Sequence, residues 1–164
     1  MIKMKRIGVI SDTHVPSAAR ALPSEAVAAF CGVDMIFHAG DIVDIGVLEE
    51  LEAVAPVKAV RGNMDSGDSA NLPDKRIIEI GSLKIGLIHG WGAPGDLHLR
   101  ARAQFDESVS CVVFGHSHQP FSGAVAGALM FNPGSPTDRR FAPFFSVGII
   151  TLDGKRITGE IIKL

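Results

Sequence analysis

The chain has 164 residues, 46% of them hydrophobic, with a formal net charge of −2. That length fits one domain, residues 1–164, with a sizeable buried core, and the small charge gives no basic surface for nucleic acid. With nine Phe, one Trp and no Tyr, there is no base-stacking platform to read either. No stretch approaches the roughly 20 apolar residues of a membrane span. The apolar run over residues 7–10 is too short for a signal-peptide core. The two cysteines, Cys31 and Cys111, lie in or beside apolar runs and read as small buried thiols, not as a disulfide. The expectation is a soluble cytoplasmic protein without nucleic-acid or membrane partners.

In chain order, residues 7–10 read as a buried strand that stops at polar residues. Pro23 and Ser24 open a helix through Phe30, with Gly32 just past its end. Residues 34–38 form a second strand, 44–54 a helix closed before Pro56, and 57–61 a third strand. This β-α-β-α-β order implies parallel strands joined by right-handed crossovers. After a loop over residues 62–73 comes a hairpin, 76–80 and 83–88, turning at Gly81-Ser82. Residues 97–105 read as a helix and 111–114 as a buried strand. The last third reads as hairpins over 121–126, 128–132, 145–152 and 156–163, with Asp153-Gly154 as a two-residue turn. Strands outnumber helices, which predicts an α/β protein of two sheets face to face with helices outside.

Metal-type residues follow the buried strands. The first runs into Ser11-Asp12-Thr13-His14, the second into Ala39-Gly40-Asp41, and the third into Gly62-Asn63-Met64-Asp65. Residues 83–88 run into His89-Gly90, and 111–114 into Gly115-His116-Ser117-His118. Ligands bind outside the carboxyl ends of strands in open α/β sheets, so neighbouring ends would gather these side chains. Asp12 and His14 are two apart, as are His116 and His118; on extended backbone each pair points to one face. Taken singly, Asp12 or Asp41 could cap a loop or helix, Asn63 could form a turn, and a His beside Gly could be an ordinary loop residue. Holding at five strand ends together, the pattern argues for a site.

Two Asp, one Asn and four His form a nitrogen/oxygen set that suits Mn²⁺, Fe, Zn²⁺ or Ni²⁺. Seven side chains exceed what one catalytic ion takes while keeping an open position. With Asp41 bridging, they make four bonds to each of two ions and leave room for a shared hydroxide. Such pairs activate water and stabilise both oxygens of an in-line displacement at phosphorus. His38 and His98, inside a strand and a helix, stay outside this set.

The blocks Asp12-x-His14, Gly40-Asp41, Gly62-Asn63, His89-Gly90 and Gly115-His116-x-His118 resemble, in that order, the calcineurin-like metallophosphoesterase superfamily. Length and the Asn132-Pro133-Gly134-Ser135 segment make the chain similar to the small YfcE-like phosphodiesterase branch. The resemblance implies a four-layer αββα sandwich of two mixed sheets flanked by helices. It places one ion on Asp12, His14 and His118, the other on Asn63, His89 and His116, with Asp41 between. Asp41, His89 and His116 then serve catalysis by positioning metal and hydroxide. The implied activity is hydrolysis of small phosphate diesters by the bridging hydroxide, with two divalent ions, Mn²⁺ first and Fe, Ni²⁺ or Zn²⁺ as alternatives. A phosphomonoesterase on the same site is the near alternative, and a protein-interaction scaffold of the retromer-subunit type is the distant one.

Many superfamily members carry His after the Asn, where it can protonate a leaving group; here Met64 cannot. Asp65 reads equally as a partner orienting a ligand His or as a turn residue. Asn132–Ser135 reads as a strand-ending turn slightly more than as a loop that lines the phosphate pocket or orients a ligand His. Arg139 and Arg140 could grip a phosphate, though surface arginines more often pair with solvent or nearby acids. Residues 128–131 read as core strand, and residues 141–145, interrupted by Pro143, as a candidate interface loop for a homo-oligomer, a dimer or tetramer.

Overall fold

The computed structural model describes residues 3–164. Its first part runs β1 (Lys5–Ile10), α1 (Ser24–Ala29), β2 (Met35–His38), α2 (Gly46–Glu52), β3 (Val57–Ala59) and a 3-10 turn over Gly67–Asn71. Then follow β4 (Lys75–Ile80), β5 (Leu83–Ile88), α3 (Leu97–Arg102), β6 (Cys111–Val113), β7 (Phe121–Val125), β8 (Ala128–Asn132), β9 (Ser146–Asp153) and β10 (Arg156–Lys163). The elements match the sequence pattern within a few residues. Helix α2 starts later than expected because Asp44 Oδ1 accepts from Gly46 N at 2.9 Å, spending residues 44–46 on a turn.

One sheet has the order β10-β9-β1-β2-β3 and the other β4-β5-β6-β8-β7. The β1-β2-β3 core is parallel, as are β5-β6-β8, while the terminal hairpins pair antiparallel. Strands buried on both faces explain the unbroken apolar runs in the sequence. Alternation assigns the faces: Ile7 and Val9 of β1, Ile85 and Leu87 of β5, and Cys111 and Val113 of β6 meet between the sheets. Ile10 and Ile36 face outward into a second core with Ala26, Phe30 and Leu51 of the first helical layer. Val112 and Met130 do the same with Leu97 and Ala101 of α3. The result is the expected α/β/β/α sandwich.

Phe131 shows how tightly the central layer fills. Its fully buried ring occupies space left by Gly148 and Gly159, where an added Cβ would overlap it. Burying such a ring contributes roughly 1.5–3 kcal/mol. Residues 128–131 are core strand, as expected, whereas Phe141 is 86% exposed. Cys111 is buried, but Cys31 is exposed, against expectation. Ala26 and Phe30 point inward from α1 and its end; Cys31, one residue later, is turned away from that inward row toward solvent.

Candidate metal centre

The strand ends are laced together by backbone before any side chain is considered. Asp12 N donates to Gly40 O at 2.9 Å and His14 N to Asp41 O at 3.1 Å, joining the loops after β1 and β2. Gly115 N donates to His89 O at 3.0 Å, joining those after β5 and β6. Two glycines permit the close approach: a Cβ on Gly62 would overlap the Asp41 carboxylate, and one on Gly115 would overlap Ser11 Oγ.

The expected extended geometry at the paired ligands does not occur. Asp12, His14, His116 and His118 have φ of +55°, +42°, +72° and +59°, and Asp41 has +56°. All five lie in the left-handed region, which Asp and His adopt more readily than most residues. Each chain end turns sharply there, and the two pairs reach the centre through these turns.

The structure brings all seven predicted side chains together. His118 Nε2 is 3.3 Å from Asp12 Oδ1 and 3.2 Å from His14 Nε2. Asp41 Oδ2 lies 3.4 Å from His14 Nε2 and 3.3 Å from His89 Nε2, between the two halves. Asn63 Oδ1 lies 3.0 Å from His89 Nε2 and 3.1 Å from His116 Nδ1. Two triads, Asp12-His14-His118 and Asp12-Asp41-His89, each place one ligand atom per residue within 4.8 Å of the others.

Hydrogen bonds on the far sides of the rings settle which nitrogens face inward. His89 Nδ1 donates to Ala39 O at 2.7 Å, His118 Nδ1 to Asp138 O at 2.6 Å, and His116 Nε2 to Gly92 O at 3.1 Å. A carbonyl only accepts, so these nitrogens carry hydrogen and the opposite ones of the neutral rings present lone pairs to the centre. Asp12 is held by its other oxygen, which accepts from Ser11 Oγ at 2.7 Å and His116 N at 3.0 Å. Its Oδ1 is buried with no hydrogen-bond partner. Inward lone pairs and an unpartnered carboxylate oxygen together fit a cation.

The electrostatics agree. Burial alone would lower the His89 pKa, but the charge of Asp12 and a hydrogen bond to Asp41 outweigh it and raise the value to about 9. Burial would likewise raise Asp12, yet the charge of His89 and the adjacent His118 and His14 rings hold it far below the carboxylate range. A proton on His89 is the smallest cation these acceptors can hold, and it marks where positive charge is favoured.

Three surrounding groups hold the loops that carry the candidate ligands. The Asp65 carboxylate accepts from four backbone N–H groups: Asp41 at 3.0 Å, Ile42 at 2.9 Å, Val43 at 2.8 Å and Gly62 at 2.7 Å. It therefore fixes the Asp41 loop and does not orient a histidine. Asn132 Nδ2 donates to Gly115 O and Ser117 Oγ, and Ser135 Oγ donates to Asp12 O. The Asn132–Ser135 segment thus braces both metal-type loops, closer to the orienting role than to the bare turn that the sequence favoured. Arg139 and Arg140 are spent locally, on Pro143 O and Asp138. His98 stacks on Phe121 with ring centroids 4.9 Å apart, as its place outside the set implied.

His38 is fully buried and accepts from Gly40 N on Nδ1 at 3.1 Å, so Nε2 carries the hydrogen and donates to Thr13 Oγ1. Burial lowers its pKa to about 4 from 6.5. Between those values the unfolded chain binds a proton that the folded one does not, so stability falls as pH drops through this window. The span is worth about 3 kcal/mol. Replacing His38 with Gln should flatten the pH dependence of urea midpoints between pH 6.5 and 4 relative to the parent; parallel curves would refute a neutral His38.

Comparison with known proteins follows the same lines. A model of the calcineurin-like phosphoesterase superfamily domain matches residues 4–155. A probable metallophosphoesterase of Methanothermobacter thermautotrophicus is 40% identical over 158 residues, covering 96% of this chain and 91% of that protein. The structure of a Vps29 complexed with Zn²⁺ from Entamoeba histolytica superposes with TM-score 0.72 at 25% identity, covering 96% of this chain and 98% of that one. An archaeal phosphodiesterase superposes with TM-score 0.69 at 26% identity, covering 96% and 99%. From its ordered ligand blocks, its paired sheets and the match over residues 4–155, the chain belongs to the metal-dependent calcineurin-like phosphoesterase superfamily.

Proposed function

We propose that residues 1–164 act as one domain that hydrolyses small phosphate diesters at two divalent ions. One ion would be held by Asp12, His14 and His118, the other by Asn63, His89 and His116, with Asp41 shared. The observation that carries this reading is the set of inward lone pairs around the unpartnered Asp12 Oδ1. The position of Asp41 Oδ2, within 3.4 Å of a histidine from each half, supports the shared role. Two such ions supply an activated water and neutralise charge growing on the phosphoryl oxygens.

The chain's own groups do the rest. Only two carboxylates face two dications, so the centre keeps net positive charge and favours an anionic ester. Asp65, Ser135 and the backbone carbonyls of Ala39, Asp138 and Gly92 hold ligands and loops in place, which limits reorganisation during reaction. Met64 is 54% exposed and offers no proton to a leaving group, so esters of acidic alcohols, such as aryl esters, should turn over best. The similarity to an archaeal phosphodiesterase favours diesters over monoesters. Mn²⁺ is the first metal to try, with Fe, Ni²⁺ and Zn²⁺ next. The free thiols Cys31 and Cys111 fit a reducing compartment such as the cytoplasm.

The test is hydrolysis of bis(p-nitrophenyl) phosphate by metal-stripped protein with Mn²⁺ restored, beside Asp41→Ala and His116→Ala. Metal-dependent turnover that both substitutions remove is expected. A folded protein inactive with every divalent ion would instead favour the scaffold reading.

A further inference from the structure

Beside the ligand cluster opens a cavity of about 590 Å³, lined among others by Arg61, Asn63, Lys75, His89, Trp91 and Gln104. Because Asn63 and His89 form part of its wall, an ester substituent leaving the metal centre on this side enters it. The volume suits a small molecule and far exceeds what the reacting phosphoryl group needs.

Trp91 is the chain's single tryptophan and is 48% exposed, on the loop directly after His89. Its backbone is fixed without help from the indole. Arg100 of α3 donates Nε and a terminal nitrogen to Trp91 O at 3.0 and 2.9 Å, and also contacts Ala93 O. The next residue, Gly92, accepts from His116 at its carbonyl. The ring is thus carried on a braced loop joined to a metal-type histidine, which lowers the ordering cost of binding.

The lining also carries polar groups, beside Ile88 and the two glycines Gly62 and Gly90. Arg61 pairs with Asp74, and Lys75 donates to Gln104 O at 3.0 Å. An aromatic side chain in the wall, with hydrogen-bonding groups among the other lining residues, fits a flat heteroaromatic ring that can stack on the indole and meet those groups with its heteroatoms.

We propose that this cavity is a specificity subsite in which Trp91 stacks on a planar aromatic substituent of nucleoside size carried by the phosphate ester. The inference rests on the phosphoesterase reading and adds the substrate class. It concerns one stacked ring of a small molecule and needs no nucleic-acid surface.

Since the chain has no Tyr, Trp91 emission reports on the cavity directly. Zn²⁺-loaded protein is titrated with adenosine 5′-monophosphate, ribose 5-phosphate and inorganic phosphate, following fluorescence and binding heat. The nucleotide should bind about tenfold more tightly than ribose 5-phosphate and alone should strongly change the emission. In Trp91→Ala the ratio of the two affinities should fall close to one, and Trp91→Phe should restore most of it. Equal affinities in the parent protein, or a preference that survives in Trp91→Ala, would overturn the subsite while leaving the phosphoesterase reading intact. If none of the three phosphates binds and no diester is hydrolysed, both readings fall.

Discussion

Asp12→Asn is expected to fold, to lose bound metal and to lose about a thousandfold or more in diester turnover, the cost of several kcal/mol of transition-state stabilisation. The argument lies in how the two oxygens of Asp12 are used. One accepts from Ser11 Oγ and His116 N. The other has no hydrogen-bond partner and lies 3.3 Å from His118, 3.8 Å from His14 and 3.9 Å from His89. An asparagine keeps its oxygen toward the two donors, because its amide nitrogen would be repelled there. It then presents N–H groups to the histidines where an anion is needed. Metal content by mass spectrometry and turnover of bis(p-nitrophenyl) phosphate should fall together. Retention of full metal content with turnover within tenfold of the parent would show that Asp12 is not a ligand.

The second large effect belongs to a residue that touches no proposed metal. Asp65→Asn should lower stability by about 3–5 kcal/mol, because one carboxylate answers four backbone N–H groups. The amide can keep the two N–H groups that meet Oδ1, Ile42 and Val43, but its nitrogen must then oppose those of Asp41 and Gly62. The Asp41 loop would loosen, and metal affinity should drop about 10–100-fold. Urea unfolding of stripped and loaded protein separates the two contributions. A midpoint unchanged in both forms would mean that water replaces Asp65 at little cost.

Much of this could be read from the chain itself, and the reasons are local. Buried strands that stop at Asp, Asn or His gave both the element boundaries and the seven-residue cluster. The face-to-face packing was read from strands outnumbering helices, and strands buried on both faces give its physical reason. The order in which strands lie side by side was not legible, since pairing depends on contacts far apart in sequence: β8 lies beside β6, and β9 beside β1. Asp65 was legible as a polar residue in a turn, but three of its four partners come from a loop some 20 residues away that is adjacent only once folded, and only Gly62 lies in its own turn. The Asn132–Ser135 brace was hidden in the same way, joined to Asp12 across 123 positions. The extended reading of the Asp-x-His and His-x-His pairs failed because period-two alternation stops where the strand stops, and left-handed turns begin there.

Those turns set folding and chemistry against each other over evolutionary time. Left-handed backbone at a non-glycine residue costs roughly 1–2 kcal/mol, somewhat less for Asp, and five of the seven cluster residues adopt it. Glycine at any of the five would relax that strain and remove a proposed ligand in one step. For a lineage released from the need for hydrolysis, that strain relief would offset part of the hydrogen bonds and packing lost with each side chain. Selection on catalysis would have to help retain these side chains, while the sandwich beneath them could outlast the activity and be put to other uses.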